Sequence, residues 1–187
     1  MFSRISLVVS LFVLLLFCYA LSSNGAQPPD RCLASIPTSL SEAIKQEHPD
    51  WSVVTLDMLE AYDRKLFLKE NKGGCPGVVK VDFYGDGSKV FAIVLSKGSG
   101  IDRRSRLIIG RLAGNNQWRL TTLENEVKGG GPPVVFVEPA GEFEGVYNQM
   151  KKKLKSKHEA ILFVGYESWA IVYVWTGNSI EKVWMSD

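Results

Sequence analysis

The chain has 187 residues, with 22 Lys and Arg against 20 Asp and Glu and a formal net charge of +2. So balanced a charge excludes bulk nucleic-acid binding, which needs a strong basic field. The length is enough for a real hydrophobic core.

The N-terminal segment reads as a leader. Arg4 precedes an apolar run over residues 5–21, and Ser22-Ser23-Asn24-Gly25-Ala26 follows it. A charge, an apolar stretch and small residues that a signal peptidase can cut are the layout of a secretory signal peptide. A spanning helix needs about 17–25 apolar residues. Here Ser6 and Ser10 interrupt the run, and no cationic cluster follows to stop transfer. Residues 1–26 are therefore expected to be removed. The alternative is an uncleaved N-terminal anchor, the one expected contact with a membrane. Removing Arg4 takes the net charge from +2 to +1. Residues 27–187 then form one domain of roughly 160 residues, placed in the periplasm or outside the cell.

Cysteine use agrees with export. Cys18 leaves with the leader, and Cys32 and Cys75 remain. An even count in an oxidising compartment reads as one disulfide, with two buried free thiols as the alternative. The bridge closes a loop of about 44 residues, worth on the order of 4 kcal/mol in the chain-entropy model. His48 and His158 stand apart from these cysteines without the spacing of a zinc site.

In chain order, Pro28-Pro29 makes an extended entry. Ser39-Leu40-Ser41-Glu42 is a capping box, and the short helix it opens stops at Pro49. Residues 51–56 suit a strand. Residues 57–69 suit a helix, with Met58, Leu59, Tyr62 and Leu66 near one face. From Val78 the period changes to two. Strands are expected over 78–84 and 90–95, joined by Gly85-Asp86-Gly87-Ser88, and over 106–112 and 118–123, joined around Gly114-Asn115-Asn116. Gly129-Gly130-Gly131-Pro132-Pro133 is a loop, and 134–137 is a strand. Residues 144–155 read as a helix with a Val146, Met150, Leu154 stripe. Glutamates near its start and lysines near its end suit the helix dipole. Strands over 160–164, Trp169–Trp175 and Ile180–Met185 close the chain. The expected fold is a single α+β domain. It has a mostly antiparallel, twisted sheet of about seven to eight strands and two or three helices on one face.

Asp82-Phe83-Tyr84-Gly85-Asp86-Gly87 is the most suggestive motif. Calcium loops alternate oxygen ligands with spacers and bend at glycine. Asp82 and Asp86 take the first and fifth places, but Tyr84, Val90 and Ile93 take the third, ninth and twelfth. The motif is either a calcium site with two side-chain ligands or a tight turn whose glycines accept unusual dihedrals. With Cys75-Pro76-Gly77 before it and Phe91-Ala92-Ile93-Val94-Leu95 after it, this stretch resembles a single FG-GAP-like segment. Tyr166-Glu167-Ser168-Trp169 and the terminal Val183-Trp184-Met185-Ser186-Asp187 add a likeness to small exported bacterial proteins of unknown function. FG-GAP repeats elsewhere stack as propeller blades and bind calcium. This chain has one copy and departs from the ligand pattern. The resemblance implies an extracytoplasmic protein and no activity.

The Trp169–Trp175 segment is aromatic. Trp169, Ile171, Tyr173 and Trp175 share one side, and Ala170, Val172 and Val174 share the other. Both sides are apolar, so the strand is central. Trp169, Tyr173 and Trp175 are the candidate ligand-binding residues, with Glu167 beside them. They form either a stacking platform or a packed core layer. The lysines Lys151, Lys152, Lys153, Lys155 and Lys157 form either an anionic-surface patch or a solvated face.

Reaction-centre patterns are mostly missing. No serine lies in Gly-x-Ser-x-Gly, and Leu162 stands where a zinc-protease helix needs its second histidine after His158-Glu159. The expected role is binding of a protein, glycan or small ligand without catalysis. The alternatives are a secreted hydrolase using Glu167 with Asp82 or Asp86, and a calcium-stabilised structural module.

Overall fold

The computed structural model describes residues 30–166 and 168–185. The expected leader and Glu167 lie outside the described residues. The described chain contains three α-helices: α1 (Arg31–Ala34), α2 (Thr38–Glu47) and α3 (Ala61–Glu70). Eleven strands accompany them. Those before the Gly129-Gly130-Gly131 loop are β1 (Ser52–Val53), β2 (Val78–Val81), β3 (Val90–Lys97), β4 (Arg104–Leu112) and β5 (Trp118–Lys128). The rest are β6 (Val134–Glu138), β7 (Gly141–Tyr147), β8 (Met150–Ser156), β9 (Ala160–Gly165), β10 (Trp169–Trp175) and β11 (Ile180–Met185). The α+β class and the antiparallel pairing stand. The single sheet of seven to eight strands does not, because the strands divide into two sheets.

In the first sheet β3, β4 and β5 pair in order, while β1 and β2 share the remaining edge of β3. In the second the order is β6-β9-β10-β11-β7-β8. Much of the second sheet is one long hairpin. Val134 faces Val164 and Glu138 faces Ala160 near its base; Gly141 faces Ser156 and Tyr147 faces Met150 near its tip. The tip is Asn148-Gln149, with φ of 49° and 65°. Two left-handed residues are the signature of the tight turn whose twist matches a hairpin. The hairpin bends at Pro139-Ala140, so β7 comes round to pair with β11 at Trp184 and Val146.

The expected helix over residues 144–155 is therefore wrong. Val146, Met150 and Leu154 have helical spacing, and Glu and Lys favour helices. The fold instead uses the alternation of β7 and β8, burying Phe143 and Leu154 and leaving Met150 68% exposed. Glu142 and Glu144 face Lys155 and Lys153 across the strands, and Lys153 pairs with Glu142 at 2.8 Å. Cross-strand ion pairs replace the helix dipole as the reason for the charge pattern.

The capping box also fails to form. Helix α2 starts at Thr38 behind Pro37, with no side-chain cap, and Ser39 Oγ accepts the Trp118 indole N–H at 2.9 Å instead. Its Leu40 and Ile44, with Ile36, cover the outer face of the first sheet at Phe91, Ile93, Leu95 and Ile108. The inner face, including Ala92, Val94, Leu107 and Ile109, packs on Ile161, Phe163, Ile171 and Tyr173 of the second sheet. Behind these, Val172 and Val174 join Phe143, Leu154 and Val183 inside the bent hairpin. Strand β10 is thus central and covered on both faces. The Cys32–Cys75 disulfide, with Cα atoms 5.1 Å apart, ties α1 to the entry of β2. Among the described residues no helix is long and apolar enough to cross a membrane.

Candidate ligand-binding groove

Alternation along β10 aims Trp169, Ile171, Tyr173 and Trp175 toward the first sheet. Antiparallel register sets Lys182 beside Tyr173 and Ile180 beside Trp175. Strand β5 passes over this face. Its Glu124 Oε2 accepts both the Tyr173 hydroxyl and the Lys182 ammonium, each at 2.6 Å. Burial pushes the Tyr173 phenol far above the ordinary tyrosine range, and the Glu124 carboxylate adds to the effect. The phenol stays neutral and donating.

Beside this bridge lies a groove of about 610 Å³. That volume lies within the roughly 300–1,000 Å³ of small-ligand sites. Trp175 and Ile180 supply apolar surface, with Tyr173 buried behind them. Thr121, Thr122 and Leu123 form the β5 wall, and Asn178, Ser179, Glu181 and Lys182 form the opposite one. Tyr147 and Lys152 also line it. Lys152 is bound to Glu181 at 2.8 Å and lies 4.8 Å from the Tyr147 ring centroid. The 176–179 turn is wired internally: the Thr176 hydroxyl donates to Asn178 Oδ1 at 2.8 Å, and the Ser179 N–H returns to Thr176 Oγ1 at 3.3 Å. Trp175 is held edge-on to Tyr84, with ring centroids 5.1 Å apart.

Of the candidate residues, Tyr173 and Trp175 stand in this groove. Trp169 does not line it; its ring meets Phe163 and Trp184 edge-on, at 4.9 and 6.0 Å. Glu167 is outside the described residues. The Asp86 carboxylate is engaged elsewhere, whereas Asp82 is tied only through its backbone and its Oδ1 is buried without a hydrogen-bond partner. The Asp82 N–H donates to Glu159 Oε2 at 2.6 Å. Asp86 accepts the Ser88 N–H at 2.9 Å and pairs with Arg111. The Ser88 bond first, and then Arg111, hold its carboxyl below the usual carboxylate range. The Arg111 guanidinium lies 4.4 Å from the Tyr84 ring centroid, so the acidic turn buttresses the aromatic wall through Tyr84. Among the described residues, no cluster of three or more His, Cys, Asp or Glu comes together to hold a metal ion.

The corner between β8 and β9 clamps this turn. The His158 ring lies against the backbone of Gly85, whose φ is +68°. Replacing Glu159 with alanine leaves the Asp82 N–H without its acceptor. The expected loss is about 1–3 kcal/mol. Melting should fall by about 2–4 °C for each kcal/mol in a domain of this size. Thermal unfolding followed by circular dichroism checks it, and an unchanged midpoint removes the clamp.

Glu124, Lys182 and the threonines of β5 were missed from the sequence. Glu124 lies just past the expected end of its strand. Its partners are 49 and 58 residues away, and no local pattern announces them. No protein-family model, no curated protein and no solved structure matches this chain, so none bears on the FG-GAP-like segment.

Proposed function

We propose that this is an exported binding module without catalytic activity, and that its ligand lies in the groove between β5 and the β10–β11 hairpin. The observation that carries the reading is the composition of the groove. A fixed aromatic surface and hydroxyl groups face a space in which each charge already has a partner. Lys182 is matched with Glu124, and Lys152 with Glu181. A carboxylate held by an ammonium is poorly placed to give or take a proton, so the groove is suited to holding a ligand rather than converting it. Export is supported by the leader pattern of residues 1–26 and by the Cys32–Cys75 bridge, which persists in oxidising compartments.

Trp175 is the reporter for this reading. A ligand in the groove changes the tryptophan emission of the wild-type protein, and Trp175→Phe should lose most of that change while keeping the fold. Aromatic contact is worth about 1–3 kcal/mol at such sites, so Trp175→Ala should weaken binding by roughly five- to 150-fold. Screening short peptides and neutral oligosaccharides by fluorescence tests it. A ligand that binds Trp175→Ala as tightly as wild type places the site elsewhere.

A further inference from the structure

We infer that the groove takes an extended peptide segment of another protein, uncharged at alternate residues and added as a new strand along the free edge of β5. This rests on the groove being the binding site and names its occupant.

Thr121, Thr122 and Leu123 are consecutive, and side chains along a strand alternate between faces. The pairing of β4 with β5 slips between Leu107–Glu124 and Ile108–Thr122, so Leu123 is an extra, bulged residue that brings neighbouring side chains to one side where the groove meets the open edge. Strand β5 ends its sheet, so this edge has no strand beside it. At 11 residues it is also the longest strand described.

The other edges of the two sheets are managed in recognisable ways. Strand β8 carries Lys151, Lys152, Lys153 and Lys155 along its edge. Strand β6 gives the Val135 N–H to the Pro76 carbonyl at 2.8 Å. Strands β1 and β2 have two and four residues. Among the described strands β5 keeps the longest open edge: its bulges fall at Leu123 and at residues 125–126, residues 118–122 pair with β4 in unbroken register, and residues 120–123 carry no charge. An edge left open beside an apolar groove is the arrangement used for β-strand addition: main-chain hydrogen bonds provide affinity, and alternate side chains enter pockets.

Charge complementarity restricts the occupant. The groove ions cancel in pairs, so an inward-facing charge on the guest would be desolvated without a counter-ion. An apolar or aromatic side chain would instead rest on Trp175 and Ile180. Every second residue of the guest is therefore uncharged and apolar, and the intervening ones face out.

The test uses the chain after leader removal and a phage-displayed library of random heptapeptides. A selected peptide is synthesised and then N-methylated at one alternate set of residues or the other. Strand addition predicts a loss of about tenfold or more in affinity for one set and little for the other. Amide exchange within residues 120–123 should slow on binding. Peptides that change Trp175 emission with no difference between the methylated sets, or with β5 amides unprotected, overturn strand addition and leave the groove reading intact. Binding of neutral oligosaccharides with no peptide selected does the same. If neither class binds, both readings fall. If the β5 amides become protected as protein concentration rises without peptide, the occupant is a second copy of the chain and the proposal is wrong.

Discussion

Gly145→Ala should lower stability by about 3 kcal/mol or more, since its added methyl meets backbone that cannot yield locally. Gly145 lies in β7, directly across from Lys152 of β8. A Cβ there would sit 1.9 Å from the Trp184 carbonyl oxygen and 2.8 Å from its carbonyl carbon. Those atoms belong to β11, and the pairing of β7 with β11 is registered at Trp184 and Val146. Relief requires the strands to part. That opens the interior holding Phe143, Leu154, Val172, Val174 and Val183. A midpoint lowered by roughly 6–12 °C is expected for a domain of this size. Gly87→Ala is the control. Its Cβ would meet nothing within 4 Å, but its φ of +79° still disfavours a side chain. It should cost only about 1–2 kcal/mol. Equal loss from both substitutions would show that β7 and β11 are not in close contact.

The second large effect is loss of the disulfide. Replacing both Cys32 and Cys75 with serine should destabilise the domain by about 4 kcal/mol in the chain-entropy model. The bond spans 43 residues of sequence. It also holds α1, and with it the Ile36, Leu40 and Ile44 cover, against the outer face of the first sheet. Denaturant unfolding of wild type and the double variant measures the difference. Reductant should produce the same loss in the wild type and none in the variant. A wild type indifferent to reductant at its unfolding midpoint would show that the bridge contributes nothing.

How far the sequence could be read depends on how local each determinant is. The hairpins around Gly114-Asn115-Asn116 and Thr176-Gly177-Asn178-Ser179 were legible because turn residues sit between alternating runs. Strand β10 was legible because both of its sides are apolar. The cysteine pair was legible because only two cysteines lie outside the expected leader. The hairpin of β7 and β8 was not. Its lysines and glutamates favour helix, and Val146, Met150 and Leu154 recur every four residues. Only pairing across the Asn148-Gln149 tip, and burial of Phe143 and Leu154 on the same side, decide the outcome. Ser39 shows the same competition, since its hydroxyl serves a tryptophan from a distant strand rather than the helix end. The candidate site divides likewise. Tyr173 and Trp175 follow from the pattern of one strand, whereas Thr121, Glu124 and Lys182 become site residues only when two sheets meet.

The groove itself is tested most directly by mapping backbone and indole N–H shifts of isotope-labelled protein as a bound peptide or oligosaccharide is added. The account predicts that the perturbed resonances fall on residues 121–124, on residues 178–182 and on the Trp175 indole. Perturbations gathered at Trp169 and Trp184, or at the Asp82 and Asp86 turn, with the groove resonances unmoved, would contradict it.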